Sequence, residues 1–218
     1  MNAIIVGGSP VAGAEGFYRS LILAADTVVA ADGGGSVCFA VGRTPDVWIG
    51  DFDSVPPGLV ERAESDGVTV LRHPVEKEAS DLDLALDAVR ARRMASVTFT
   101  AAFSNRLDHT LASIGTLLRA VDLETCAREP GFTLYPLDAR ARPQLQLAEA
   151  PGTTISVFAI DPHTMVSIRG VRYPLDAAQM AQFSSLGLSN VAVDNEQSVS
   201  VVAGRVLVVV GRECVPAL

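Results

Sequence analysis

The segment Gly50-Asp51-Phe52-Asp53-Ser54 sets two carboxylates two residues apart, directly after the apolar run Val47-Trp48-Ile49. Pro56-Pro57-Gly58 closes the segment on its far side. In extended backbone, side chains at i and i+2 leave the chain on the same side. Asp51 and Asp53 are therefore expected to point together into the space beyond the carboxyl end of a strand. Two anions held that close repel each other unless a cation sits between them, and a hard divalent ion suits an all-oxygen pair. The alternative is a pair of turn-forming aspartates whose side chains accept from nearby backbone amides.

Three further clusters follow runs of strand character. Ala31-Asp32-Gly33-Gly34-Gly35 combines a carboxylate with glycines that permit close backbone approach, and a helix beginning near Ser36 would aim its amides at an anion; a plain tight turn is the competing reading. In Lys77-Glu78-Ala79-Ser80-Asp81-Leu82-Asp83, Ser80 and Asp83 form a capping-box pattern, which leaves Asp81 surplus to the needs of the helix start. In Asn105-Arg106-Leu107-Asp108-His109, Arg106 can fork onto phosphate oxygens with Asp108 orienting it; a surface salt bridge beside an ordinary histidine is the alternative.

Carboxylates unaccompanied by histidine or cysteine spacing favour a magnesium-type cation over zinc, and such a cation commonly arrives with phosphates. Glycine loops and an arginine complete the inventory for phosphoryl transfer. The chain has no G-x-x-x-x-G-K-[ST] loop, no G-x-G-x-x-G after its first strand and no G-x-S-x-G. A P-loop kinase, a conventional dinucleotide enzyme and the commonest serine hydrolases are thereby disfavoured.

The elements that must carry these clusters change character along the chain. To about residue 120, strand-like runs (Ala3–Val6, Thr27–Ala31, Val47–Ile49, Val68–Leu71, Ser96–Thr100) alternate with helical spacing such as Leu82, Ala85, Leu86 and Val89. This predicts a Rossmann-like α/β domain over residues 1–125, with a mostly parallel sheet, helices on both faces, and ligands at the carboxyl ends of the strands. From 126 to 218 the chain reads as an antiparallel β-sandwich or barrel, with runs at Thr133–Tyr135, Leu145–Leu147, Thr154–Ile160, Met165–Arg169, Ser198–Val202 and Val206–Val210. Ala203-Gly204-Arg205 reads as a tight hairpin between the last two runs, and Asp138–Pro143 as the interdomain link.

Of the 218 residues, 49% are hydrophobic, enough for a large core. The net charge of −8 argues against a nucleic-acid partner. No apolar run reaches bilayer length and the N-terminus lacks the basic start of a signal peptide, so no membrane association is expected. Cys38, Cys126 and Cys214 are widely spaced without a CxxC pair, which favours a reducing, cytoplasmic setting.

Taken in order, Ala31-Asp32-Gly33-Gly34, Pro45-Asp46 leading to Gly50-Asp51-Phe52-Asp53-Ser54, Glu76-Lys77-Glu78-Ala79-Ser80-Asp81-Leu82 and Arg106-Leu107-Asp108-His109 resemble the ordered signatures of the thiamine pyrophosphokinase (thiamine diphosphokinase) family. Gly170-Val171-Arg172-Tyr173-Pro174-Leu175 and Ser189-Asn190 are similar to its C-terminal elements. The chain departs from the pattern at Ser104-Asn105, where two glycines are common, and at Ser80, where threonine is common. The resemblance implies an N-terminal nucleotide-binding catalytic domain and a C-terminal domain for thiamine binding and dimerisation. It also implies a homodimer with active sites at the subunit interface and transfer of pyrophosphate from the co-substrate ATP to thiamine, giving thiamine diphosphate and AMP. It implies Asp51, Asp53 and Asp81 as ligands of Mg2+. Asp32, Gly33, Gly34, Ser54, Lys77, Ser80, Arg106, Asp108 and His109 are implied at the nucleotide and pyrophosphate site, with Arg106 and Asp108 serving catalysis. Ser189 and Asn190 are implied at thiamine. A pyrophosphokinase for another alcohol, of pterin type, and a non-catalytic nucleotide- or thiamine-binding protein are the alternatives.

Overall fold

A computed structural model describes residues 1–76, 78–104 and 106–211. The chain divides into two compact units, Met1–Pro130 and a second beginning at Gly131.

The first unit runs β1 (Asn2–Val6), α1 (Glu15–Leu23), β2 (Thr27–Ala31), α2 (Gly34–Ala40), β3 (Val47–Gly50), α3 (Leu59–Ser65), β4 (Thr69–Arg72), α4 (Asp81–Ala91), β5 (Ser96–Thr100), α5 (Leu107–Arg119) and β6 (Glu124–Glu129). Its strands lie in the order β6-β5-β1-β2-β3-β4, each parallel to its neighbour. β1, β2 and β3 are almost wholly buried because both faces are covered, which is why they read as continuous apolar runs rather than alternating ones. On one face Ile4, Val6, Val28, Ala30 and Trp48 pack with Tyr18 and Ile22 of α1, Val37 and Cys38 of α2, and Val60 and Ala63 of α3. On the other, α4 lies along β1, β2 and β3 through its buried Ala85, Leu86 and Val89. The chain extends the sheet from β1 through β4 in one direction, then returns to the other side of β1 for β5 and β6. The crevice outside the carboxyl ends of β1 and β5 is thus the topological switch point where such sheets take ligands. Glu124–Glu129 continues the parallel sheet, so this unit runs past the boundary expected near residue 125.

The second unit contains β7 (Phe132–Asp138), β8 (Gln144–Leu147), β9 (Thr154–Ala159), β10 (Thr164–Arg169), β11 (Leu175–Met180), β12 (Asn190–Val191), β13 (Gln197–Ala203) and β14 (Arg205–Gly211). Two antiparallel arrays, β12-β9-β14-β7 and β11-β10-β13-β8, enclose one core. Leu137, Ile155, Val157, Val206, Val208 and Val210 from the first array meet Leu145, Leu147, Val166, Ile168, Val199 and Val201 from the second. The arrangement is the expected sandwich.

Two local expectations are corrected. Ala203-Gly204-Arg205 is not a hairpin: β13 pairs with β10 and β8, whereas β14 pairs with β7 and β9. Gly204, at φ +76°, turns the chain from one layer to the other against Thr164, a corner where a side chain would collide. Likewise 138–143 is the β7–β8 turn inside the second unit, where Asp138 Oδ1 accepts from the amides of Arg140 and Ala141. Among the described residues no helix is long and apolar enough to cross a membrane.

Candidate active site

A cavity of about 890 Å³ opens at the switch point of the first unit. Its wall comes from strand ends and helix starts: Gly7, Gly8 and Ser9 after β1, Asp32 after β2, Asp51 after β3, Ser80 and Asp81 at α4, and Ala101, Ala102, Ser104, Arg106, Asp108 and His109 between β5 and α5. The four clusters singled out in the sequence therefore converge on one space.

Asp32, Asp51 and Asp53 each offer a carboxylate oxygen within 4.8 Å of the others. Asp32 is the most constrained of the three. Its backbone holds φ +44°, its amide donates to the Ile49 carbonyl at 2.7 Å, and its own carbonyl accepts from Trp48 Nε1 at 2.7 Å. Ser54 Oγ donates to Asp32 Oδ2 at 2.7 Å, while Oδ1 is buried without a hydrogen-bond partner among the described residues. A buried carboxylate oxygen left unmatched is unfavourable unless something else satisfies it. Two neighbouring carboxylates and an orphaned oxygen fit a hard divalent cation, which takes oxygen ligands alone.

Asp51 and Asp53 do come together, but not by extended alternation. Phe52 between them adopts φ +62°, and the Asp53 amide donates to Asp51 Oδ1 at 3.3 Å, so the segment is a turn. Left-handed backbone is unusual for a bulky residue. Phe52 is held there by an edge-on contact with Trp48, centroids 5.3 Å apart, and by the Arg72 guanidinium over its ring at 5.5 Å. The turn-forming reading and the cation-binding reading of this pair thus describe the same geometry. Asp81, expected as the third ligand, faces the same cavity but stands outside the 4.8 Å group, whose third member is Asp32.

Gly33 and Gly34 serve close packing. Gly33 lies against Gly8, and a Cβ on Gly34 would overlap the Val6 carbonyl, so α2 can start only where no side chain intervenes.

At α4 the capping box is complete: Ser80 Oγ accepts from the Asp83 amide at 3.2 Å and Asp83 Oδ2 accepts from the Ser80 amide at 3.3 Å. Asp83 is further occupied by Thr116 Oγ1 at 2.6 Å and by Arg119 Nη1 at 2.8 Å, which tie α4 to α5. The helix needs Ser80 and Asp83, and Asp81 is left to face the cavity. Ser80→Ala is expected to lower stability by about 1 kcal/mol, the usual worth of an N-cap hydroxyl, measured by denaturant unfolding.

Arg106 pairs with Asp108 through two bonds, Nη2–Oδ2 at 2.6 Å and Nε–Oδ1 at 3.3 Å. Hydrogen bonding to Arg106 holds the Asp108 carboxyl below the usual range, and the same bonding raises Arg106. Both side chains are exposed at the cavity, and the pairing uses one edge of the guanidinium, leaving Nη1 for an anion. In place of the expected glycines, Ser104 shapes the turn: its Oγ accepts from the Arg106 amide and its carbonyl from Thr110 Oγ1. Lys77 and Asn105 lie outside the described residues.

Ser189 and Asn190 belong to the second unit. Ser189 takes φ +54° and donates its amide to Ser156 Oγ at 2.9 Å. Asn190 is buried, with Oδ1 accepting from the Tyr173 amide and Nδ2 donating to the Tyr173 carbonyl. Its amide group therefore fixes the backbone that carries the exposed Tyr173 ring.

Glu129 escaped the sequence reading, although period-2 alternation in Glu124–Glu129 gives the signal. Thr125, Ala127 and Glu129 share the buried side, which makes Glu129 an acid on the buried face of its strand. It is 3% exposed, and burial pushes its carboxyl up to about 7 despite bonds from the Ala102 amide and Tyr18. Between about pH 4.5 and 7 the folded protein thus holds a proton that the unfolded chain has released, so stability falls as pH rises through that window, by about 3 kcal/mol in all. Melting temperatures taken from about pH 5 to pH 8 are expected to decline for the wild type and to flatten in Glu129→Gln. An equal slope in both would refute the assignment.

Comparison with known families agrees with this geometry. A model described as the thiamin pyrophosphokinase catalytic domain matches residues 18–127, and one described as the thiamin pyrophosphokinase vitamin B1 binding domain matches residues 143–206. No curated protein matches the chain. Among solved structures, thiamine pyrophosphokinase from Bacillus subtilis is similar at TM-score 0.82 and 21% identity, over 98% of this chain and 100% of that one. The enzyme from Geobacillus thermodenitrificans gives 0.80 and 20% over the full length of both chains. That from Candida albicans gives 0.83 and 13%, over 97% and 89%. At such identities the structures establish a shared fold. The catalytic-domain match, spanning half of the chain, and the vitamin-binding match beyond it establish more: the chain belongs to the thiamin pyrophosphokinase family.

Proposed function

We propose that this enzyme moves the terminal pyrophosphoryl unit of ATP onto the hydroxyethyl oxygen of thiamine, with the first unit holding the nucleotide and the second the vitamin. The observation that carries the reading is the meeting of Asp32, Asp51 and Asp53 beside the cavity at the switch point. In the reaction a bond forms between the thiamine oxygen and the β-phosphorus, and the bond from that phosphorus to the oxygen bridging the α-phosphate breaks. AMP leaves with the electron pair, and the hydroxyl proton passes to solvent. Such a transfer asks little covalent chemistry of the protein and much positioning.

Asp32, Asp51 and Asp53 would hold Mg2+, with Asp81 a further carboxylate on the same cavity. When bound, the cation neutralises charge on the phosphate oxygens. Arg106, kept in place by Asp108, donates to the migrating group, and Ser80 and His109 line the path of the triphosphate. Gly33, Gly34 and Ser54 support the site by shaping and fixing the Asp32 turn. Lys77 is assigned to the nucleotide, and Ser189 and Asn190 to the vitamin, on the family resemblance. A cytoplasmic homodimer completes the reading: among the described residues Cys38 and Cys126 form no disulfide, and the second unit exposes Tyr173, Phe183, Leu186, Leu188 and Val193.

Incubation with ATP, Mg2+ and thiamine is expected to yield AMP and thiamine diphosphate in equal amounts, with AMP absent when thiamine is omitted. Release of orthophosphate without an acceptor, or transfer to a pterin alcohol in preference to thiamine, would overturn the assignment.

A further inference from the structure

We propose that Glu129 is a positioning residue for the nucleotide cavity: one buried carboxylate joins two neighbouring loops that both contribute to its wall. The inference rests on the functional reading above. Glu129 ends β6, a strand that adds no residue to the cavity lining, so it acts through others. Its Oε1 accepts from the Ala102 amide at 3.0 Å and its Oε2 from the Tyr18 hydroxyl at 2.9 Å. The Tyr18 oxygen in turn accepts from the Val11 amide at 3.0 Å. A continuous line of hydrogen bonds, Val11–Tyr18–Glu129–Ala102, therefore links the loop after β1 to the loop after β5. Gly7, Gly8 and Ser9 of the first loop and Ala101, Ala102 and Ser104 of the second line the cavity.

The second loop needs such an anchor. Ala101 stands at φ +50°, a left-handed backbone state that is unfavourable for a residue with a Cβ and persists only where the surroundings enforce it. The next residue is held at both backbone polar atoms, the Ala102 amide by Glu129 and the Ala102 carbonyl by Ser113 Oγ at 2.7 Å. The loops also meet directly, Ser9 N donating to the Ala101 carbonyl at 2.8 Å and Gly7 N to that of Thr100 at 2.9 Å. An apolar residue would fill the place of Glu129 without the desolvation penalty of a carboxyl group, but would leave the Ala102 amide and the Tyr18 hydroxyl unmatched.

The test uses the full chain and three variants: Glu129→Leu, which removes both acceptors, Glu129→Gln, which keeps one oxygen for the Ala102 amide, and Tyr18→Phe, which frees the Val11 amide with little change of shape. In Glu129→Leu, the KM for ATP and the Kd for a nonhydrolysable ATP analogue, measured by calorimetry, are expected to rise about tenfold, the equivalent of one buried hydrogen bond. In Tyr18→Phe both are expected to rise about threefold, and Glu129→Gln is expected to fall nearer the wild type than Glu129→Leu. The KM for thiamine is expected to stay within about twofold throughout. Unchanged ATP affinity in a folded Tyr18→Phe or Glu129→Leu protein, or ATP and thiamine constants rising together, would overturn the proposal. If Glu129→Leu fails to fold, Tyr18→Phe decides the question. A wild-type chain that binds the analogue but forms no AMP would sink the functional reading while leaving the binding comparison intact.

Discussion

Asp53→Asn is expected to lower turnover by about 10²–10³-fold while leaving the melting temperature within about a degree of the wild type. The separation of the two readouts follows from where the residue sits. Asp53 is exposed, and its backbone amide rather than its carboxylate closes the turn with Asp51. Removing its charge therefore takes nothing from the core. It does take one of three carboxylate oxygens from the group gathered with Asp32 and Asp51. Charge compensation that is fully present only when phosphate charge shifts acts on turnover more than on ground-state binding. The measurement is steady-state AMP formation at saturating Mg2+ beside a thermal melt, and near-normal turnover would contradict the role given to the acidic group.

Gly34→Ala is expected to destabilise the protein by about 1–3 kcal/mol, the cost of forcing a methyl group into a packed interior, and to reduce activity with it. The added Cβ meets the Val6 backbone carbonyl, which cannot turn aside as a flexible side chain could. Relief requires the start of α2 to move away from the end of β1, and the Asp32 turn immediately before it must move too. A misplacement of that order at a reacting site is costly for rate. Urea unfolding and AMP formation would be measured on the same preparation, and a variant with wild-type values in both would show that the close approach is dispensable.

Much of this architecture is legible from spacing alone. β1, β2 and β3 announce themselves because burial on both faces makes them near-continuous apolar runs, and Thr27–Ala31 and Ser96–Thr100 appear where expected. The capping box of α4 is equally local, since Ser80 and Asp83 each bond to the other's backbone three residues away. What depends on distant partners is harder to see. β6 and β11 carry polar and charged residues that mask strand character until a neighbouring strand supplies the pairing. Gly204 signals a tight reversal, but only the alternative pairing of β13 and β14 reveals a change of layer. At the site, residue types point to a cation and phosphates, yet the membership of the group is decided in three dimensions. Asp32 joins Asp51 and Asp53 because its left-handed turn is pinned by Trp48, Ile49 and Ser54. Glu129 carries no motif at all, and its importance lies in what it reaches across the fold.

The central claim, that Asp32, Asp51 and Asp53 jointly hold a divalent cation at the triphosphate, is tested most directly by titrating Mn2+ into the protein with a nonhydrolysable ATP analogue. The free ion would be followed by electron paramagnetic resonance. The wild type is expected to withdraw Mn2+ from solution, with Kd rising by about tenfold or more in Asp53→Asn and in Asp51→Asn. Equal Mn2+ binding by the wild type and both variants would contradict it.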